Sequence, residues 1–223
     1  MTVAAVVFDM DGLMVDTEPV YKASWQQAAS ELHYELPDSV YARFVGRPTE
    51  ACERILVEHL GPKFPLPPFR LRWPVLWRTE IQRSGVHVKP GLFELLAFLS
   101  DRRVPVAVAT STESDLAALT LSLAGLADHF AIVVSGDQVA AGKPAPDIYL
   151  EAARRLGVSA ANCVALEDSE AGIRAAAAAG MVGILVPHWA PSIEASRAAR
   201  HVVEDLHQAR EVLTSLIAEQ ERS

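Results

Sequence analysis

An apolar run from Val3 to Phe8 stops abruptly at Asp9-Met10-Asp11-Gly12, and this junction constrains the fold more than any other stretch of the chain. A run of Val and Ala closed by Phe reads as a strand buried on both faces. Two carboxylates two residues apart then leave the strand together. The glycine after them lets the backbone turn sharply and bring its N–H groups close to a ligand. Open parallel sheets build their sites at the C-terminal ends of strands, which is where these carboxylates fall. Asp and Gly are also ordinary turn residues, so the junction alone does not make a site; the later segments decide that.

After Thr17 the periodicity becomes helical. Tyr21, Trp25, Ala28 and Leu32 share one face, and a second helix is expected from about Thr49, ending at Gly61-Pro62. The Pro-rich stretch 62–68 reads as a rigid non-helical connection, followed by a third helix over Phe69 to Arg83. Trp73 and Trp77 on that helix are expected to pack a core. Residues 17–88 thus read as all-helical, with no strand signal.

From Lys89-Pro90-Gly91 onward, strands and helices alternate. Val104 to Ala109, Ala131 to Val134, Cys163 to Leu166, Gly183 to Val186 and the short Val202-Val203 read as strands. Amphipathic helices lie between them, one carrying Leu116, Leu119 and Leu123. Thr112 with Asp115 resembles a capping box ahead of that helix. Alternation of this kind predicts an α/β fold, a Rossmann-like parallel sheet covered on both faces. The first strand stands apart from the rest, so the expected organisation is a catalytic core of residues 1–16 and 89–223, with an all-α cap of 17–88 inserted after the first strand. A helical insert of this kind is a natural lid.

The polar groups that end the strands carry the chemistry: Asp9 and Asp11, Thr110 and Ser111, the segment toward Lys143-Pro144, and Glu167 with Asp168. Neighbouring strands of one sheet are about 4.8 Å apart, so these groups can converge. That many acids together raise one another's pKa values. A divalent cation resolves the conflict, and an all-oxygen donor set without His or Cys suits Mg²⁺. With the cation in place the set fits a phosphate: Lys143, the Thr110 hydroxyl and backbone N–H groups supply the remaining positive ends. Asp9 is placed to act as a nucleophile and Asp11, further out, as an acid and base. The glycine-bounded stretch 136–143 fails as a nucleotide phosphate loop, because five residues separate its glycines and Pro144 stands where Ser or Thr is needed.

In combination these segments resemble a haloacid dehalogenase superfamily phosphatase of the β-phosphoglucomutase-like group with a helical cap. Asp9-Met10-Asp11-Gly12 with Asp16-Thr17 is similar to its first motif, and Val108-Ala109-Thr110-Ser111 to its second. Lys143-Pro144-Ala145-Pro146-Asp147 is similar to the third, and Leu166-Glu167-Asp168-Ser169 with Gly172 to the fourth. The likeness runs from about Val3 to Pro187. It implies Asp9 as nucleophile and Asp11 as acid and base. It also implies Mg²⁺ on the Asp9 carboxylate, the Asp11 carbonyl and Asp168 with Glu167 assisting, and phosphate contacts from Thr110, Ser111 and Lys143. The sugar-phosphate mutase of that group carries His where Tyr21 stands and Lys-Asn where Glu113-Ser114 stands, groups that engage a second phosphate. Acidic Glu113 repels such a phosphate, so hydrolysis of a small phosphorylated metabolite is expected rather than the mutase reaction. True dehalogenases lack the second aspartate. Arg47, after Gly46 in the insert, is a possible substrate contact.

Composition bounds the partners. A net charge of −8 and the lack of any basic run argue against nucleic acid. Cys52 and Cys163 lie in separate apolar segments and are expected to be buried free thiols. Neither a secretory leader nor a stretch of membrane length is read, so a cytoplasmic, monomeric enzyme with no membrane partner is the expectation.

Overall fold

The computed structural model describes residues 3–44, 49–188 and 190–221. The chain divides into two compact units, one of Met1–Asp16 with His87–Ser223 and one of Thr17–Val86.

The first unit is built on a six-stranded parallel sheet. Its strands are β1 (Ala5–Phe8), β4 (Val106–Ala109), β5 (Val133–Val134), β6 (Cys163–Glu167), β7 (Val182–Leu185) and β8 (His201–Val202), in the order β5-β4-β1-β6-β7-β8. β2 (Val15–Asp16) and β3 (His87–Val88) form a separate antiparallel pair, with Val15 opposite Val88 and Asp16 opposite His87. β1 is central, paired in register with β4 (Val7 with Ala107) and β6 (Val7 with Ala165). The chain builds leftward through β4 and β5 and then crosses to β6 on the other side. The switch point therefore falls between β1 and β6, where open α/β sheets leave a crevice.

The helices are α1 (Glu18–Glu31), α2 (Asp38–Tyr41), α3 (Thr49–Leu60), α4 (Leu66–Ser84), α5 (Leu92–Asp101), α6 (Ser114–Leu123), α7 (Asp147–Leu156), α8 (Glu170–Ala178), α9 (Ile193–Ala198) and α10 (Leu206–Glu221). On one sheet face, Ala5, Val7, Ala107, Ala109, Cys163 and Ala165 pack against Ile148, Tyr149, Ala152 and Ala153 of α7 and Ala175 and Ala176 of α8. The other residues of the same strands, among them Val6, Phe8, Val108, Val164 and Leu166, are also buried. Burial on both faces is why these strands read as continuous apolar runs rather than as alternation. Small side chains on the α7 and α8 face let those helices approach closely.

The helical unit is held by aromatic packing. Trp25 on α1 meets Phe44, Phe69 and Trp73 at ring-centroid distances of 5.2, 5.1 and 5.7 Å. Trp77 is fully buried with its ring 5.5 Å from that of Tyr21, and Trp73 is partly buried against this core, in line with a packing role.

Several local expectations are corrected. Residues 62–68 do not form one connection, because α4 begins at Leu66 and takes Pro67 and Pro68 into its first turn, where a missing N–H costs nothing. The helical stretch does not run to residue 88, because His87 and Val88 form a strand whose partner, Val15–Asp16, is distant in sequence. The N-cap position of α6 is Glu113, one residue after Thr112, and the backbone N–H of Ser114 donates to Asp137 Oδ1 at 2.9 Å. Leu123 is 41% exposed while Ala117, Thr120 and Leu121 are buried, so the buried face of α6 is rotated from the one its leucines suggested. Both cysteines are free and buried, as expected.

Candidate active site

The C-terminal ends of β1, β4 and β6 bring together residues that stand more than a hundred positions apart in the chain. Asp9 follows β1 directly, is only 7% exposed, and its N–H donates to Leu166 O at 3.0 Å, so β6 fixes its backbone. Its Oδ1 accepts from Lys143 Nζ at 2.5 Å. Lys143 lies in the loop between β5 and α7 and is itself buried. Its ammonium also donates to Ala109 O at 2.9 Å and to Glu167 Oε1 at 2.6 Å. An ammonium carries three protons, and all three are committed here to Asp9, the end of β4 and the end of β6. Lys143 therefore acts first as a charge held beside Asp9.

Glu167 is fully buried at the end of β6. Oε1 accepts from Lys143 and from the Tyr149 hydroxyl at 2.7 Å. Oε2 accepts from the N–H groups of Asp168 and Ser169, each at 3.2 Å, and from Ser169 Oγ at 3.0 Å. Ser169 in turn caps α8 by accepting from the Gly172 N–H at 3.1 Å. Gly172 is required here, since a Cβ on it would sit 1.7 Å from Glu167 Oε1.

Asp11 sits in a tight turn. Gly12 N–H donates to Val15 O at 2.8 Å, and Met14 N–H to Met10 O at 3.0 Å. Gly12 has φ of +88°, and a Cβ there would lie 2.0 Å from Asp168 Oδ2. The turn needs a glycine both for its backbone and for the close approach of Asp168. Asp11 Oδ2 accepts from Thr110 Oγ1 at 3.3 Å and from Thr112 Oγ1 at 2.8 Å. Thr110 Oγ1 accepts from the Thr112 N–H at 3.1 Å, which ties the loop after β4 to the acidic turn. Ser111, on the same loop, is exposed, and its carbonyl packs where a Cβ on Gly136 would fall, at 2.4 Å.

Carboxylate oxygens of Asp9, Glu167 and Asp168 lie within 4.8 Å of one another. Burial holds the Asp9 carboxyl well above the usual carboxylate range, and Lys143 opposes that rise. Asp168 is pushed up to about 8, by burial first and by the neighbouring Glu167 charge second. Burial alone would depress the Lys143 ammonium, but the Asp9 and Glu167 carboxylates raise it above the ordinary lysine value. Two neighbouring acids that resist ionisation, in a donor set made only of oxygen, fit a small hard cation. Asp9 and Asp168 are suited to hold it, and Glu167 is already saturated by protein donors.

Most sequence-selected residues meet in this one place: Asp9, Asp11, Thr110, Lys143, Glu167 and Asp168. Arg47 lies outside the described residues. Sequence reasoning missed two members. Thr112 was assigned to a helix cap but bonds Asp11. Tyr149 packs in the core through its ring and bonds Glu167 through its hydroxyl. A buried tyrosine needs a partner for its hydroxyl, and that was the available signal.

A family profile of haloacid dehalogenase-like hydrolases matches residues 3–180. The chain belongs to this family. Within it, a phosphorylated carbohydrates phosphatase of Thermotoga maritima is 36% identical over 177 residues, 79% of this chain and 82% of the relative. A fructose-1-phosphate phosphatase of Escherichia coli is 38% identical over 183 residues, 80% and 93% of the two chains. A β-phosphoglucomutase of Bacillus subtilis is 30% identical over 216 residues, 92% and 94%. This haloacid dehalogenase-like hydrolase is thus a phosphoric monoester hydrolase with a Rossmann-like core and an inserted helical segment.

Proposed function

We propose that the protein hydrolyses the phosphate monoester of a small metabolite, a sugar phosphate or a similar polyol phosphate, through an aspartyl-phosphate on Asp9. The observation that carries this reading is the contact of Asp9 with Lys143 at 2.5 Å, with Asp11 two residues on and held by two threonine hydroxyls. Lys143 opposes the effect of burial and favours the ionised carboxylate that a nucleophile requires. Asp9 attacks phosphorus, and the bond to the leaving oxygen breaks. Asp11 protonates that oxygen and later takes the proton of the water that releases phosphate from Asp9. Thr110, Ser111 and backbone N–H groups of the same loop bind the phosphoryl oxygens. The Lys143 ammonium contributes charge.

Mg²⁺ is the cation this reading assigns, held by the Asp9 and Asp168 carboxylates and the Asp11 carbonyl. When bound it supplies positive charge against the phosphoryl oxygens and relieves the crowding of the two acids. Glu167 assists by fixing Lys143 and the start of α8. The Thr17–Val86 unit is read as the cap that selects the substrate, with Arg47 as a contact. The likeness to phosphatases of phosphorylated carbohydrates supports the substrate class. Action as a cytoplasmic monomer, without nucleic acid, belongs to the same reading; among the described residues no helix is long and apolar enough to cross a membrane.

The likeness to a β-phosphoglucomutase favours a mutase as the second reading. Against it stands the N-terminus of α6. Glu113 is exposed there, and the Asp137 carboxylate occupies the helix end, accepting from the Ser114 N–H at 2.9 Å and from its hydroxyl at 2.8 Å. Two acids at that place oppose a second phosphate. Tyr21, in the position of the mutase histidine, is packed against Trp73 and Trp77 at 6.0 and 5.5 Å. Incubation with sugar monophosphates and Mg²⁺ is expected to release inorganic phosphate without a bisphosphate activator. Transfer of phosphate between two positions of one sugar, with little release, would establish the mutase instead.

A further inference from the structure

Tyr149 is a buried titratable group that the hydrolytic steps leave unused. It is fully buried on the first turn of α7, five residues after the loop cis proline Pro144. Its hydroxyl donates to Glu167 Oε1 at 2.7 Å, the oxygen that also accepts from Lys143 at 2.6 Å. Lys143 Nζ stands 5.2 Å from the centre of the Tyr149 ring, within reach of its face. The same ammonium holds Asp9 at 2.5 Å.

Resting on the hydrolase reading above, we propose that Tyr149 is a positioning residue that sets how the Lys143 charge is divided between Glu167 and Asp9. Glu167 and Asp9 compete for one ammonium. The Tyr149 hydroxyl, donating to Glu167, takes up part of that carboxylate's negative charge and so weakens its hold on Lys143. More of the positive charge then remains for Asp9, where phosphate charge must be met. Burial raises the tyrosine above its usual range, so the hydroxyl stays protonated and remains a donor. In this buried network each bond is worth more than it would be in water. Removing the hydroxyl leaves Glu167 with Lys143 alone on Oε1, and the ammonium shifts toward it and away from the nucleophile.

The test is steady-state kinetics with Mg²⁺ and p-nitrophenyl phosphate, beside the best sugar monophosphate. Tyr149→Phe keeps the ring and removes only the oxygen. Its kcat is expected to fall about tenfold or more, the size of a lost hydrogen bond to a charged group, with KM within about twofold. Ile148→Val is the control, since it loosens the neighbouring buried residue of α7 without touching the network. At a comparable loss of thermal midpoint it should keep wild-type kcat. Should Tyr149→Phe not fold, 3-fluorotyrosine at position 149 keeps the shape and strengthens the donor, and is expected to hold kcat at or above wild type. A Tyr149→Phe kcat no lower than that of Ile148→Val, or a fall in kcat with 3-fluorotyrosine, overturns the inference and leaves the hydrolase reading intact. Failure of the wild-type chain to turn over any phosphate monoester refutes the hydrolase reading itself and this inference with it.

Discussion

Lys143→Met replaces a cation that bridges two buried carboxylates, and its consequences follow from the distances. The ammonium holds Asp9 at 2.5 Å and Glu167 at 2.6 Å, with its own side chain only 5% exposed. Methionine fills similar space but leaves both acids without their counter-charge. Removing one partner of a buried ion pair costs about 3–5 kcal/mol, because the remaining charge stays desolvated. For a chain of this size each kcal/mol shifts the melting midpoint by roughly 2–4 °C, so a fall of about 6–20 °C is expected. The effect also has a pH sign. Asp9 already lies above its unfolded value because of burial, and loss of Lys143 pushes it further up. A carboxylate raised in the folded state favours folding below its unfolded value and is penalised as pH rises through its folded value. The deficit of Lys143→Met should therefore be smallest near pH 5 and grow toward pH 8. Thermal denaturation of wild type and variant across that range, in chelator, is the assay. A midpoint within about 2 °C of wild type at every pH would mean that the ammonium does not counter buried charge, and the electrostatic account of Asp9 would fail.

Two further outcomes separate the carboxylates. Asp11→Asn should lower turnover by about 10²–10⁴ on alkyl phosphates and by less on p-nitrophenyl phosphate, whose leaving group departs without a proton. A phosphate-sized mass should then accumulate on the peptide carrying Asp9, and its appearance on another residue would overturn the nucleophile assignment. Asp168, pushed up to about 8 by burial and then by Glu167, should make the metal-free protein lose stability as pH rises from its ordinary value of 3.8 through about 8. Melting curves should show Mg²⁺ restoring more stability at pH 8 than at pH 5, and Asp168→Asn should flatten both trends; identical metal stabilisation in that variant would exclude Asp168 as a ligand.

The sequence by itself determined the α/β alternation, the helical insertion after the first strand, and the residues that end each strand. These are local properties: apolar runs, helical periods and turn residues are written in consecutive positions. It also singled out Asp9, Asp11, Thr110, Lys143, Glu167 and Asp168, because strand ends in one parallel sheet share an edge. Only the tertiary structure decided what each group is bonded to. His87–Val88 became a strand through Val15–Asp16, and the Ser114 N–H at the start of α6 found Asp137. Thr112 turned to Asp11, and Tyr149, packed in the core, placed its hydroxyl on Glu167. The Lys143 protons were all taken by Asp9, Ala109 and Glu167. These outcomes depend on distances between segments as far apart as 134 positions. A hydroxyl or an ammonium bonds whichever acceptor packing brings within about 3 Å, and no local pattern encodes that choice.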